Sequence, residues 1–308
     1  LRLILGRIAD AESLNRDDGA FGFPISNLLA RKALGRETAR DDALFDDMLD
    51  LIERRVDCAD FLVSGLVRYL KNYPVAPVRA ERVRDVLVNW RYWMDQDGLD
   101  GMCFWSENHA LMFYSCALFC GEMYPEEYFP RAHKTGAALA EWGRSRVEQW
   151  LSDVEEHGFE EFLSAVYMCI TFVALLNLID FGPAGIAARA EKVADRLLEG
   201  LALHTWKGGF IAPMGRVYRG ALYPFAQGAM ALMNLADPSQ PYDFGEGWLG
   251  FYATSRYRLP EGLKAKMDAP ASASYVTGNA RIVLEKREDW CLTSVQCPRE
   301  PFQRWPNL

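Results

Sequence analysis

Apolar residues recur at three- and four-residue spacing through most of the chain from residue 41 onward. That period gathers them on one face of a helix. Segments 41–55, 58–72, 77–93, 106–123, 134–152, 159–180, 184–204 and 218–236 read as helices; the first carries the stripe Leu44, Met48, Leu51 and Ile52. Breakers fall between them: Pro74 and Pro77, Gly98 and Gly101, Pro125 and Pro130, Gly158, Gly182-Pro183, Gly208-Gly209 and Pro238. Pro77 falls at the first helical position, where its missing N–H has no partner to lose. Residues 1–40 read as mixed, with a loop at 15–19.

Two kinds of helix are visible. Phe162 to Ile170 and Ala221 to Leu235 are apolar on more than one face, whereas 184–199 carries Arg and Glu on one side. Alternation of all-round apolar with amphipathic helices predicts two concentric layers, inner helices buried and outer ones with a wet face. The expected fold is therefore mainly α, an α/α toroid. A flat bundle or a solenoid would share the pattern, and no internal repeat is visible.

After about residue 240 the period changes to two. Ala273–Val276, Ala280–Glu285 and Trp290–Val295 read as strands, divided by Gly278-Asn279 and Arg287-Glu288-Asp289. Three strands leave sheet edges and faces open, so they read as the start of an antiparallel β-sandwich. The expected organisation is a helical domain over 1–240, then a linker and partial β domain over 241–308.

Composition narrows the classes. Half of the 308 residues are hydrophobic, enough for a large core. The net charge of −8 argues against nucleic acid or an anionic membrane as a general partner. The longest apolar run, Val166 to Leu178, is interrupted by Thr171 and Asn177 and falls short of a membrane span. The seven cysteines form no CxxC pair; most sit in apolar surroundings and read as buried thiols, not as a disulfide frame or a zinc site. The first residue is Leu1, which reads as a processed or truncated start.

The polar stretch Trp105-Ser106-Glu107-Asn108-His109 opens the apolar run from Ala110 to Cys120. Ser106 has N-cap chemistry, and Glu107 suits the positive end of the helix dipole. Four polar side chains at the mouth of a greasy helix suggest an end that looks into a cleft. His109 also shares a face with Met112, Phe113 and Cys116, as a packed core histidine would. Further candidates are Tyr167 and the sequence Arg216-Val217-Tyr218, which follows a Gly-rich stretch. Trp90, Trp93 and Trp105 are candidate platforms for sugar rings, or core residues.

The Asn108-His109 pair, the spacing to Tyr167 and the α-then-β order together resemble the toroid polysaccharide lyases, alginate-lyase-like and heparinase-like families. The resemblance covers about residues 40–300 in architecture but few positions in motif. It implies β-elimination on a uronic-acid-containing polysaccharide or oligosaccharide, without a metal or other cofactor. Asn108 and Arg216 would neutralise the C5 carboxylate. His109 or a tyrosine would take the C5 proton, and Tyr167 would protonate O4, with Tyr218 in reserve. Trp90, Trp93, Trp105, Glu107 and Glu160 would line the substrate site. A secreted or periplasmic location would follow. One departure matters: where those families carry an arginine before the tyrosine, this chain reads Gly158-Phe159-Glu160-Glu161. Arg216 is the candidate to replace it.

Two alternatives belong to other classes. A toroid glycoside hydrolase would use two carboxylic acids, Glu107 with Glu160 or Glu161. A non-catalytic carbohydrate-binding protein would need only the tryptophans. Asp41 to Asp47 resembles the magnesium-binding helix of terpene cyclases, and Asp95 to Asp100 part of a calcium loop. The first lacks its partner motif and the second its glutamate, so they read as a solvated face and an acidic turn.

Overall fold

The computed structural model describes residues 1–11, 24–217, 219, 223–225, 228–240 and 248–296. Helices dominate: α1 (Arg2–Asp10), α2 (Pro24–Leu34), α3 (Arg40–Glu53), α4 (Ala59–Asn72), α5 (Pro77–Val88), α6 (Glu107–Met123), α7 (Gly136–His157), α8 (Tyr167–Phe181), α9 (Ala184–Leu203), α10 (Gly228–Ala236), α11 (Leu249–Ala253) and α12 (Leu263–Asp268). Two small hairpins pair β1 (Tyr128–Phe129) with β2 (Lys134–Thr135), and β3 (Thr205–Trp206) with β4 (Gly209–Phe210). A three-stranded antiparallel sheet follows, β5 (Ala271–Thr277), β6 (Ala280–Lys286) and β7 (Cys291–Gln296), in that order. Mainly α with a small antiparallel sheet is thus the observed class.

Four segments differ from the periodicity, one of them 218–236, where residues 223–225 form a bend and turn and helix begins only at Gly228. The mixed stretch 1–40 holds α1 and α2, the latter opened by Pro24 at a position a proline tolerates. The helix expected over 77–93 ends at Val88, because Trp90 and Tyr92 turn inward as core residues. The helix expected over 159–180 starts only at Tyr167. Before it, Leu163 takes a left-handed backbone (φ 53°) that a helix cannot hold. The loop expected at 15–19 lies outside the described residues.

The burial pattern separates two kinds of helix. In α2, α4, α6 and α8 most residues are buried. In α3, α5, α7 and α9 the buried residues form one stripe. The buried helices touch in sequence, α2 with α4, α4 with α6 and α6 with α8, and α11 touches both α8 and α2. Between α4, the end of α8 and the end of α11 the Arg68 guanidinium is fully buried. It donates to Asn177 Oδ1 (2.8 Å), Asp180 Oδ2 (2.7 Å) and the Thr254 carbonyl (3.1 Å). A buried cation needs such a complete set of partners. The acidic stripe of α3 has a plain role: Asp42 and Asp46 pair with Arg79, and Asp50 with Arg82, both on α5.

The sheet packs on the helices through one face. Ala280, Ile282, Leu284 and Lys286 of β6 are buried, and Lys286 Nζ donates to the carbonyls of Thr205, Lys266 and Met267. At the turn after β5, Gly278 has φ +52° and lies so close to Phe159 O and Glu160 that a Cβ would clash. Thr277 Oγ1 accepts from Phe159 N (2.9 Å) and donates to Phe159 O (3.0 Å). The sheet therefore braces the 158–166 segment.

His204 ties the end of α9 to β5. Its Nδ1 lies 3.1 Å from the Ile211 carbonyl, and its Nε2 lies 2.8 Å from the Tyr275 hydroxyl. A carbonyl can only accept, so Nδ1 carries the proton and Nε2 accepts from tyrosine. Burial holds the imidazole's pKa down at about 4, against an ordinary 6.5. Between those two values the unfolded chain binds the extra proton, so stability falls as the pH falls. Acidification through this window should remove about 3 kcal/mol of unfolding free energy. Urea unfolding at a series of pH values checks it. His204→Gln should flatten this part of the profile, and an equal slope in both proteins would assign the loss elsewhere.

Candidate functional site

The site begins with an unmet demand. The first N–H groups of α6 have no partner within the helix. Ser106 was the expected cap, yet its side chain accepts no hydrogen bond from a helix N–H. A carboxylate distant in sequence does the work. Glu161 Oε2 accepts from Asn108 N (2.9 Å) and from Asn108 Nδ2 (2.6 Å). Glu107 returns the contact: its Oε1 accepts from Glu160 N (3.0 Å) and its Oε2 from Glu161 N (2.9 Å). Glu161 thus caps the Asn108 N–H and Glu107 the N–H groups of Glu160 and Glu161, and both carboxyl groups sit at the positive end of a 17-residue helix.

Arg216 closes the arrangement. Its Nη1 lies 2.7 Å from Glu161 Oε1, and its guanidinium stacks 3.7 Å above the Tyr167 ring. Gly215 makes this approach possible, because a Cβ there would run into Glu160 O and the Phe162 ring. The Arg216 side chain is about one third exposed (31%). Tyr167, Glu161, Asn108 and Glu107 lie behind it, all buried. Asn108 Oδ1 is buried and makes no hydrogen bond. The amide orientation is fixed nonetheless, because only the NH₂ group can face the Glu161 carboxylate.

The structure therefore joins Glu107, Asn108, Glu160, Tyr167 and Arg216 in one network. His109 belongs to another. Its Nδ1 lies 2.7 Å from Asp60 Oδ2 on α4, and its ring stacks on Phe61 at 4.9 Å. Burial alone would lower the His109 pKa, but the Asp60 carboxylate overrides it and holds the imidazole well above its ordinary value. Burial pushes Asp60 up as well, against the pull of His109. The Asp60 carboxylate thus biases the imidazole toward its protonated form and holds its Nδ1.

Three expectations need correction. Trp90 is buried and stacks on Phe113 at 5.2 Å, and Trp93 sits among Phe104, Phe113, Tyr114 and Trp142. Both are core residues, unable to meet a sugar ring. Glu107 is also fully buried, and both its oxygens accept backbone N–H groups, where an exposed carboxyl group was expected. Trp105 is the exposed tryptophan of the three (48%) and stands at the mouth of α6. Tyr218 lies outside the described residues. Asp60 went unread in the sequence, although an aspartate within Ala59-Asp60-Phe61-Leu62-Val63 is the kind of lone charge that needs a partner.

No protein-family model matches the chain, and no curated protein or solved structure matches it. The site must be read from its own chemistry. Asn108 Nδ2, the Asn108 N–H and the Arg216 guanidinium make a donor set for one carboxylate, which an internal residue now fills. Glu161→Ala should therefore cost about 1–3 kcal/mol, because buried donors lose their acceptor. Acetate should then raise the melting temperature of the variant and not that of the parent, against chloride at equal ionic strength. Equal responses of the two proteins would show that no carboxylate-sized donor set was vacated.

Proposed function

We propose that the protein is a polysaccharide lyase that cleaves a uronic-acid-containing polysaccharide by β-elimination on an α/α toroid. The sequential contacts of the buried helices, with α11 touching both α8 and α2, support the toroid. One observation carries the activity: Glu161 is held by Asn108 and by Arg216, whose guanidinium lies over the Tyr167 ring. A uronate carboxylate has the same chemistry as the Glu161 side chain. In this reading the incoming carboxylate takes Arg216 from Glu161, and the amide and guanidinium stabilise the enolate-like state as charge builds there.

Removing the C5 proton is the difficult step. His109 turns its Nδ1 to Asp60 and away from this network, so the base is assigned to a residue that touches Arg216. Tyr167 takes that role as the phenolate, with the guanidinium as a fixed positive charge beside it. The C5–H bond breaks and the phenol forms. The C4–C5 double bond then forms as the C4–O4 bond breaks, and Tyr167 gives its proton to the departing O4. No net proton is consumed, and the phenolate is restored. Trp105 offers the exposed ring on which a neighbouring sugar can stack. Elimination is favoured over hydrolysis, because both Glu107 oxygens accept backbone N–H groups.

A panel of uronate polymers, followed by ultraviolet absorbance of the unsaturated product, tests the reading. At least one polymer should give the new band. On it, Tyr167→Phe should lower turnover by about 100-fold or more, the scale of a positioned acid or base. Arg216→Ala should also slow the reaction. Reducing-end release without the band would indicate hydrolysis, and absence of both across the panel would reject the proposal.

A further inference from the structure

A cavity of about 290 Å³ opens between α9, β5 and the 158–166 segment. Neither Tyr167 nor Arg216 lines it, so it is separate from the carboxylate donor set. Its inner lining is apolar: Phe159, Phe162, Leu163, Leu197 and Leu201 border it and are all buried. Such a lining offers water no partners, and an apolar cavity of about 150 Å³ takes up benzene. This one has roughly twice that volume, room for an apolar body of about ten carbons.

The mouth is charged. Arg196 and Glu199 are exposed there, and Lys266 is half-exposed. Lys266 Nζ lies 3.0 Å from Glu199 Oε2, so those two charges answer each other. Arg196 is held differently. Its Nη1 donates to the carbonyls of Val154 (3.0 Å) and Glu155 (3.2 Å), and among the described residues no carboxylate pairs with it. Neutral groups therefore fix the guanidinium while its charge stays unanswered. The mouth is left net positive in a chain whose net charge is −8.

Gly200 is the second sign of a built cavity. It borders the space from inside α9, and a glycine within a helix costs stability relative to alanine. Packing does not demand it: a Cβ there would meet Leu163 Cδ2 at an ordinary 3.8 Å and nothing nearer. The missing side chain keeps the cavity open.

We propose that this cavity is a binding site for a small amphipathic monocarboxylate. The apolar body fills the buried lining, and the carboxylate takes the planar fork of Arg196, which suits it geometrically. A cationic head would instead meet both Arg196 and Lys266. The wall from Phe159 to Leu163 belongs to the segment that carries Glu161, so the ligand sits behind the donor set without touching it. Binding here does not depend on the elimination chemistry.

Decanoate, kept below its micelle concentration, is titrated into the whole folded chain by calorimetry, with melting temperature as a second readout. It should bind saturably, one per chain, and raise the melting temperature. Decanol should bind more weakly, and acetate and decyltrimethylammonium not at all. Arg196→Gln should weaken decanoate by about tenfold or more, the scale of a hydrogen bond to a charged group, and leave decanol unchanged. Gly200→Leu, with folding checked by circular dichroism, should fill the space and abolish binding of both. Absence of saturable decanoate binding, equal binding of decyltrimethylammonium, or undiminished decanoate affinity in either variant would overturn the proposal.

Discussion

Capping by Glu107 and Glu161 is the constraint on which the site depends. Helix α6 starts in the interior, where its free N–H groups cannot find water. Glu161 supplies an acceptor across 53 residues of sequence, and Glu107 fixes the backbone that carries Glu161. Glu107 cannot move without freeing the N–H groups of Glu160 and Glu161, nor Glu161 without freeing that of Asn108. That rigidity sets the position of everything nearby. Tyr167 begins its helix just after the fixed turn, and Arg216 reaches Glu161 because Gly215 lets its loop lie flat on residues 160–162. The sheet closes the brace from outside, through Thr277 and Gly278.

Adjacent residues on α6 serve different networks for a geometric reason. Successive residues on a helix point about 100° apart. Asn108 therefore faces the 158–166 segment, while His109 faces α4 and Asp60. One direction leads to a donor set for a carboxylate, the other to the buried contact of His109 with Asp60. The Arg68 cluster is a third polar network, between α4, α8 and the end of α11. The buried Arg68 is partnered at all three of its guanidinium nitrogens, as its desolvation requires.

Much of the fold was legible because helices announce themselves by period. The stripe of α3, the proline at the head of α5 and the three strands of the sheet match their segments closely. What failed to show was local backbone geometry. The left-handed turn at Leu163 breaks a run whose apolar composition reads as continuous helix, and composition carries no record of φ. The site was partly legible. Asn108, Tyr167 and Arg216 were named from the sequence, but Glu161 was read as a possible hydrolase carboxylate and not as the residue that holds the others. Its role arises from pairing across 53 and 55 residues, which one sequence cannot display. The tryptophans misled for a similar reason: an aromatic in a polar neighbourhood of sequence can still turn inward, as Trp90 does.

The central claim is that Arg216 and Asn108 form a receptor for a substrate carboxylate beside Tyr167. A crystal structure of Tyr167→Phe with a uronate oligosaccharide tests it most directly, because that variant keeps the ring packing and removes the proposed proton carrier. The account predicts one sugar carboxylate within hydrogen-bonding distance of the Arg216 guanidinium and the Asn108 amide, with C5 facing the ring at position 167 and Glu161 displaced from Arg216. An oligosaccharide bound elsewhere, with the Glu161 to Arg216 ion pair intact, would contradict it.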